Sequence, residues 1–246
     1  VQRASLQCFG TFGEFVSMES NDVENIVSVI KKELHKYELL HDKFISIINR
    51  DPELKILVHS YKSRFKDIAH LKEKIVRKNQ EDLLLDADKR LGPKTTENLM
   101  SRITDICGIR ILHIHMGQFE EIHSKIMGYV ENNDFVLFED PKAYTWDPEY
   151  KQYFESHGVS SKLKPSFYTS VHYVLKPRDD SEVTCEVQVR TLFEEVWGEI
   201  DHVFNYPSPT TSLVVQEQLK VLARMVGAGT RLADSIFRLE KERNNV

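Results

Sequence analysis

Residues 185 to 202 change hydrophobic period in mid-course. Cys185, Val187 and Val189 alternate with Glu186, Gln188 and Arg190, the period of two that assigns each set to one face of a strand. From Leu192 the spacing becomes helical, with Phe193, Val196, Trp197 and Ile200 on one stripe and Glu195, Glu199 and His202 on another. A strand running without a break into an acid-rich helix ties a sheet to a covering layer. The polar strand face carries a carboxylate, an amide and a guanidinium together, and such groups are buried only when something pairs them. Taken alone, it is equally a half-exposed edge strand with a solvated face. The rest of the chain decides between the two.

At 246 residues and 41% hydrophobic side chains, the chain is long enough for one large domain or two small ones. A formal net charge of -5 gives no global basic excess for non-specific nucleic-acid binding. Cys8, Cys107 and Cys185 lie far apart in sequence with no CxxC pair, so neither a disulfide framework nor a zinc site is indicated, and a reducing, cytoplasmic setting is expected. There is no apolar run of membrane-spanning length and no secretory signal, so no membrane partner is expected. The first residue is Val1 and not Met, the mark of a trimmed chain or a fragment.

Residues 1–18 are mixed and predict no element. Asp22 is read as the N-cap of a long helix bearing Val23, Ile26, Val27, Ile30, Leu34, Tyr37 and Leu40. His41 and Asp42 are assigned to its surface. Six basic residues between Arg64 and Lys78 bracket an amphipathic helix with Ile68, Leu71 and Ile75 on its apolar face. Arg64 and Lys66 share a strand-like face before it, and Lys74 and Lys78 lie one turn apart on it. The arrangement suits a polyphosphate, and in isolation it is also an ordinary solvated basic helix.

Thr95 to Ile103 reads as a short helix delivering Asp105 to the start of a strand, Cys107 to Ile114, with Gly108 leaving room for close approach. Asp105 is a cap by itself; paired with Glu186 it becomes a hard-oxygen site for Mg²⁺. His113 and His115 share a strand face without a third ligand. Phe119 to Val130 reads as a helix and Phe135 to Phe138 as a short strand. Residues 139–165 read as a polar, aromatic-flecked connection containing a mobile flap. Tyr168, Ser170 and His172 alternate on one face of a strand that forms a hairpin with 183–190, setting them beside Glu186, Gln188 and Arg190. Leu213 to Arg238 reads as a helix pair broken near Gly227 and Gly229, able to pack or to join copies of the chain.

These blocks carry a resemblance. Arg64-x-Lys66 with Lys74, Asp105-x-x-Gly108-Ile109-Arg110, Tyr168-x-Ser170-x-His172 and Glu186-x-Gln188-x-Arg190-Thr191 occur in the order seen in RelA/SpoT-type alarmone synthetase domains. Between Tyr61 and Tyr206 the chain resembles a small alarmone synthetase or a related toxin. The resemblance implies an α+β, nucleotidyltransferase-like fold: a central mixed β-sheet flanked by helices, with N- and C-terminal helices. It divides the chain into an N-terminal segment (1–20), a helical region (21–60), a pyrophosphokinase core (61–206) and C-terminal helices (207–246).

The implied reaction moves the β,γ-pyrophosphate of ATP to the ribose 3′-hydroxyl of GDP or GTP, making (p)ppGpp and releasing AMP. Asp105 and Glu186 would be catalytic and hold Mg²⁺. Arg64, Lys66, Lys72, Lys74 and Arg110 would bind ATP. Tyr168, stacking on guanine, Ser170, His172, reaching the acceptor's phosphates, Gln188 and Arg190 would form the acceptor site. The chain departs from the family pattern at His70, where Ser is common, and at Phe167, where Gly usually precedes the Tyr. The acceptor therefore stays open between a guanine nucleotide, an adenine nucleotide and the tRNA 3′ end. A catalytically silent nucleotide-binding module, and a homo-oligomer through the terminal helices, are further expectations.

Overall fold

The computed structural model describes residues 12–95, 98–206 and 208–244. Of residues 1–18, read as predicting no element, 1–11, with Cys8 and Gly10, lie outside the described residues and 12–18 are helical. Two compact units share the chain: residues 1–36 with 66–103, and residues 37–65 with 104–246.

In the first unit, helix α3 (Ile68–Leu83) begins on Asp67, whose carboxylate accepts from the backbone N–H groups of Ala69 and His70. It buries Leu71 and Ile75, as its spacing predicts. Lys72 forms an ion pair with Glu24 on α1 (Phe12–Arg50). That helix runs straight through Asp22, which is therefore interior and not its N-cap. No Pro or Gly interrupts the sequence after Gly13, so nothing stops the helix at Asp22. The helix expected over Thr95 to Ile103 is confined to α4 (Leu99–Arg102). Asn98 captures the preceding turn instead, accepting from Thr95 N–H and donating to Pro93 O.

The second unit holds a six-stranded mixed sheet in the order β1-β2-β6-β5-β3-β4. Its strands are β1 (Ser60–Phe65), β2 (Cys107–His113), β3 (Val136–Thr145), β4 (Ser160–Leu163), β5 (Ser170–Lys176) and β6 (Cys185–Thr191). The β1/β2 and β3/β5 pairs and the β5/β6 hairpin are antiparallel, while β2/β6 and β3/β4 are parallel. Ile109, Ile111, Val187, Val189, Val171 and Tyr173 are buried on one face of β2, β6 and β5. Cys107 and Cys185, far apart in sequence, are register partners, and the Cys107 thiol donates to Cys185 Sγ at 3.3 Å with both cysteines free. Helices α2 (Pro52–Leu57), α5 (Phe119–Glu131), α6 (Pro148–Ser156), α7 (Leu192–Asn205) and α8 (Leu213–Asn244) complete the unit.

Three further expectations are corrected here. Residues 139–165 are no open connection: β3 extends through them to Thr145, followed by α6 and β4. Asp147 caps α6 through Glu149 N–H, and buried Tyr150 and Phe154 anchor it, which the polar composition concealed. The C-terminal helix pair is one continuous helix, α8. Its glycines mark close packing and not a break: a Cβ at Gly227 would lie 3.1 Å from Trp146 Cζ2, and one at Gly229 2.8 Å from Phe193 Cε1. On α7 the predicted apolar stripe is buried only at Trp197. Val196 and Phe193 are exposed, whereas Glu194, Glu195 and Trp197 are buried. Glu194 forms a capping box with Thr191, and Trp197 donates to Leu219 O on α8.

Candidate active site

The sheet register explains why charge gathers on the second face. Lys62 pairs with Arg110, Arg110 with Gln188, Gln188 with His172, and His172 with Lys142, so one polar row crosses five strands. The neighbouring row runs Arg64, Gly108, Glu186. A cavity of about 560 Å³ opens over these rows and under α7, in the size range of a small-ligand site. All of its lining residues belong to the second unit, among them Lys62, Arg64, Asp105, Arg110, Tyr168, Glu186, Gln188 and Arg190.

Glu186 is tied on both oxygens. His172 Nδ1 lies 3.0 Å from its Oε1, and Gln188 Nε2 donates to its Oε2 at 2.8 Å. Burial acts to raise its pKa, but the hydrogen bond and charge of His172, with Gln188, hold it below the usual carboxylate value against the opposing charge of Asp105. On its far side, His172 Nε2 meets Tyr168 Oη at 2.9 Å, and the Tyr144 ring packs edge-on against the imidazole. Burial raises the Tyr168 pKa, so the phenol stays protonated. Ser170, at 1% exposure, turns into the sheet toward Val189 O and does not line the cavity.

The cations converge on α7. Lys62 from β1, Arg110 from β2 and Arg190 from β6 all ion-pair with Glu195, whose side chain is 6% exposed. Burial alone would raise the Glu195 pKa; the Lys62 hydrogen bond and the Arg190 and Arg110 charges bring it down to about 2. One helical turn on, Glu199 accepts from the same Arg110 Nη1 at 2.7 Å and lies 3.6 Å from Lys62. Gly198 makes this packing possible, since a Cβ there would stand 2.9 Å from Arg190 Nη1. The buried Arg190 guanidinium also lies 5.8 Å from the Tyr168 ring centre. At Gly108, by contrast, a Cβ would meet Arg64 Cγ at 3.9 Å, an ordinary contact, so the missing side chain opens cavity space.

Asp105, Glu186, Arg64, Arg110, Tyr168, Gln188 and Arg190 are thus brought to one cavity, with Ser170 and His172 behind it. Lys66, Lys72 and Lys74 belong to the first unit. The sequence reading missed Lys62 altogether and gave Glu195 and Glu199 no role. Their signal was the acidic stripe on α7, which needed the β1 and β2 cations placed opposite it to be legible. Phe167 has φ 58°, the left-handed conformation in which Gly is at ease, and its ring packs on Trp146 at 5.1 Å. His113 is buried, which lowers its pKa to about 4, while His115 bonds Asp234 at 3.2 Å and stacks on Phe237. Among the described residues no group of three His, Cys, Asp or Glu side chains is arranged to hold a metal. None of the described helices is long and apolar enough to cross a membrane.

This fold is shared with solved structures. A GTP pyrophosphokinase family protein from Streptococcus pneumoniae superposes with a TM-score of 0.60 at 18% identity, covering 89% of this chain and 94% of the other. The small alarmone synthetase 1 from Bacillus subtilis gives 0.55 at 20% identity over 89% and 97%; its complex with its product pppGpp gives 0.56 at 19% identity, over the same shares. Comparison with curated proteins yields no significant match. The fold is therefore the α+β fold of these pyrophosphokinase structures. The family model described as the region found in RelA / SpoT proteins matches residues 63–211, and the chain belongs to that family.

Proposed function

We propose that this chain is an ATP-dependent pyrophosphokinase that transfers the β,γ-pyrophosphate of ATP to the ribose 3′-hydroxyl of GDP or GTP. The observation that carries the reading is the meeting of Asp105 and Glu186 in one cavity with Arg64, Arg110 and the Tyr168 ring. In the step itself, the 3′-oxygen bonds to the β-phosphorus as the α,β-bridging P–O bond breaks. AMP departs with that bridging oxygen, and the hydroxyl proton passes to Glu186. Its hydrogen bonds to His172 and Gln188 fix the orientation of that carboxylate in the cavity.

Two carboxylates on one cavity, each an oxygen donor, fit Mg²⁺, which takes one or two carboxylates together with substrate phosphates. Bound there, it would supply charge neutralisation to the transferring phosphates. Arg64 and Arg110 are assigned to the donor polyphosphate. Tyr168 is assigned to the acceptor base, with Gln188 and Arg190 in support. The family's activity, a cytoplasmic location and the division into segments 1–20, 21–60, 61–206 and 207–246 belong to the same proposal.

The test is release of AMP from ATP in the presence of GDP or GTP, compared with Asp105→Asn and Glu186→Gln. Acceptor-dependent AMP release, lost in both variants while their melting temperatures hold, supports the reading. ADP release, or full activity in either variant, refutes it.

A further inference from the structure

Three cations of this cavity, Lys62, Arg110 and Arg190, are ion-paired with the protein's own acids. Lys62 and Arg110, which face the cavity, both reach Glu195 and Glu199. The two acids differ in standing. Glu195 is buried and also holds Arg190, so it is part of the frame. Glu199 is half exposed, with a side-chain exposure of 52%; it contacts Lys62 and Arg110 and hydrogen-bonds the Glu195 carboxyl, but does not reach Arg190 through any ion pair among the described residues. It lines the cavity at the end of a side chain free to rotate outward from the helix surface.

Resting on the pyrophosphokinase reading, we propose that Glu199 is a specificity-determining residue, an internal stand-in for a phosphate group. Its carboxylate occupies the place on Arg110 and Lys62 that a polyphosphate takes, and a ligand must displace it. The chemistry is that of exchange: a guanidinium and an ammonium that accept a carboxylate also accept a phosphate, and a phosphate of higher charge competes better. The carboxylate opposes a ligand in proportion to the ligand's negative charge, so a polyphosphate-bearing ligand loses more of its binding free energy to it than a ligand with one phosphate. Glu199 thereby narrows the margin by which the site prefers a polyphosphate to a single phosphate.

Isothermal titration of the full chain and of Glu199→Gln tests this, with inorganic tripolyphosphate, a non-hydrolysable ATP analogue and AMP as probes. Removal of one exposed competing charge is expected to tighten tripolyphosphate and the ATP analogue by about fivefold, the upper part of the range for exposed ion pairs, with AMP changed less than about twofold. Equal affinities in both proteins overturn the inference, as does an equal gain for AMP. So does a failure of tripolyphosphate to bind either protein. AMP release from ATP with an acceptor would survive each of those results, so the loss of this inference is distinct from the loss of the proposed activity.

Discussion

Glu195 is the residue whose neutralisation should be felt most widely. Replacing it with Gln keeps the shape and an acceptor oxygen but removes the charge shared by Lys62, Arg110 and Arg190. The folded protein holds this carboxyl at about 2 against an ordinary 4.5. That gap is worth about 3 kcal/mol at full weight. Because Lys62 is half exposed and screened, about 2 kcal/mol is the expected loss at pH 7. Arg190, only 3% exposed, is left without its counter-charge and opposes any further relief by solvent.

The pH dependence follows from the direction of the shift. A depressed carboxyl stabilises the fold fully above its unfolded value of 4.5, and that contribution is lost as the pH falls through about 2. Urea unfolding of both proteins from pH 7 to pH 3 is the assay. The wild-type advantage should fall to about half or less by pH 3. An advantage that is constant over the whole range, or absent at pH 7, would refute the reasoning.

Glu194, its neighbour, should behave oppositely. Burial, against the weaker pull of Thr191 and Arg190, raises its pKa to about 7, so its contribution is complete below 4.5 and lost as the pH rises through 7. Glu194→Gln, which preserves the capping box, should match wild type at pH 4 and exceed it by about 2 kcal/mol at pH 8 in the same unfolding assay. Gly229→Ala should lower stability by roughly 1–3 kcal/mol through its contact with Phe193. Gly128→Ala on α5, where nothing lies within 4 Å, should raise it by about 0.5–1 kcal/mol; melting curves that rank the two variants the other way would contradict the packing described.

The strand-to-helix passage at 185–202 and the 168–190 hairpin were legible because period and register are local properties of sequence. They sufficed to gather Tyr168, Glu186, Gln188 and Arg190. What escaped was set by contacts between distant segments. Of the apolar stripe Phe193, Val196, Trp197 and Ile200 only Trp197 is buried on α7; burial also took in Glu194, which accepts hydrogen bonds from Thr191, and Glu195, whose charge is balanced by cations from three strands. Gly227 and Gly229 read as a helix break because their neighbours Trp146 and Phe193 lie far away in sequence. Phe167 replaced an expected Gly while keeping the backbone conformation Gly would adopt. A non-Gly residue there carries strain of about 1–2 kcal/mol, which the packing on Trp146 offsets.

The central claim, pyrophosphoryl transfer to a guanine nucleotide, is tested most directly by mass spectrometry of the products. Protein, ATP and Mg²⁺ would be incubated with GDP, GTP, ADP or deacylated tRNA in parallel. The account predicts AMP together with a guanine nucleotide heavier by two phosphoryl groups. The same gain on tRNA or ADP alone would contradict the assigned acceptor, and no gain on any acceptor, with ATP left intact, would contradict the account as a whole.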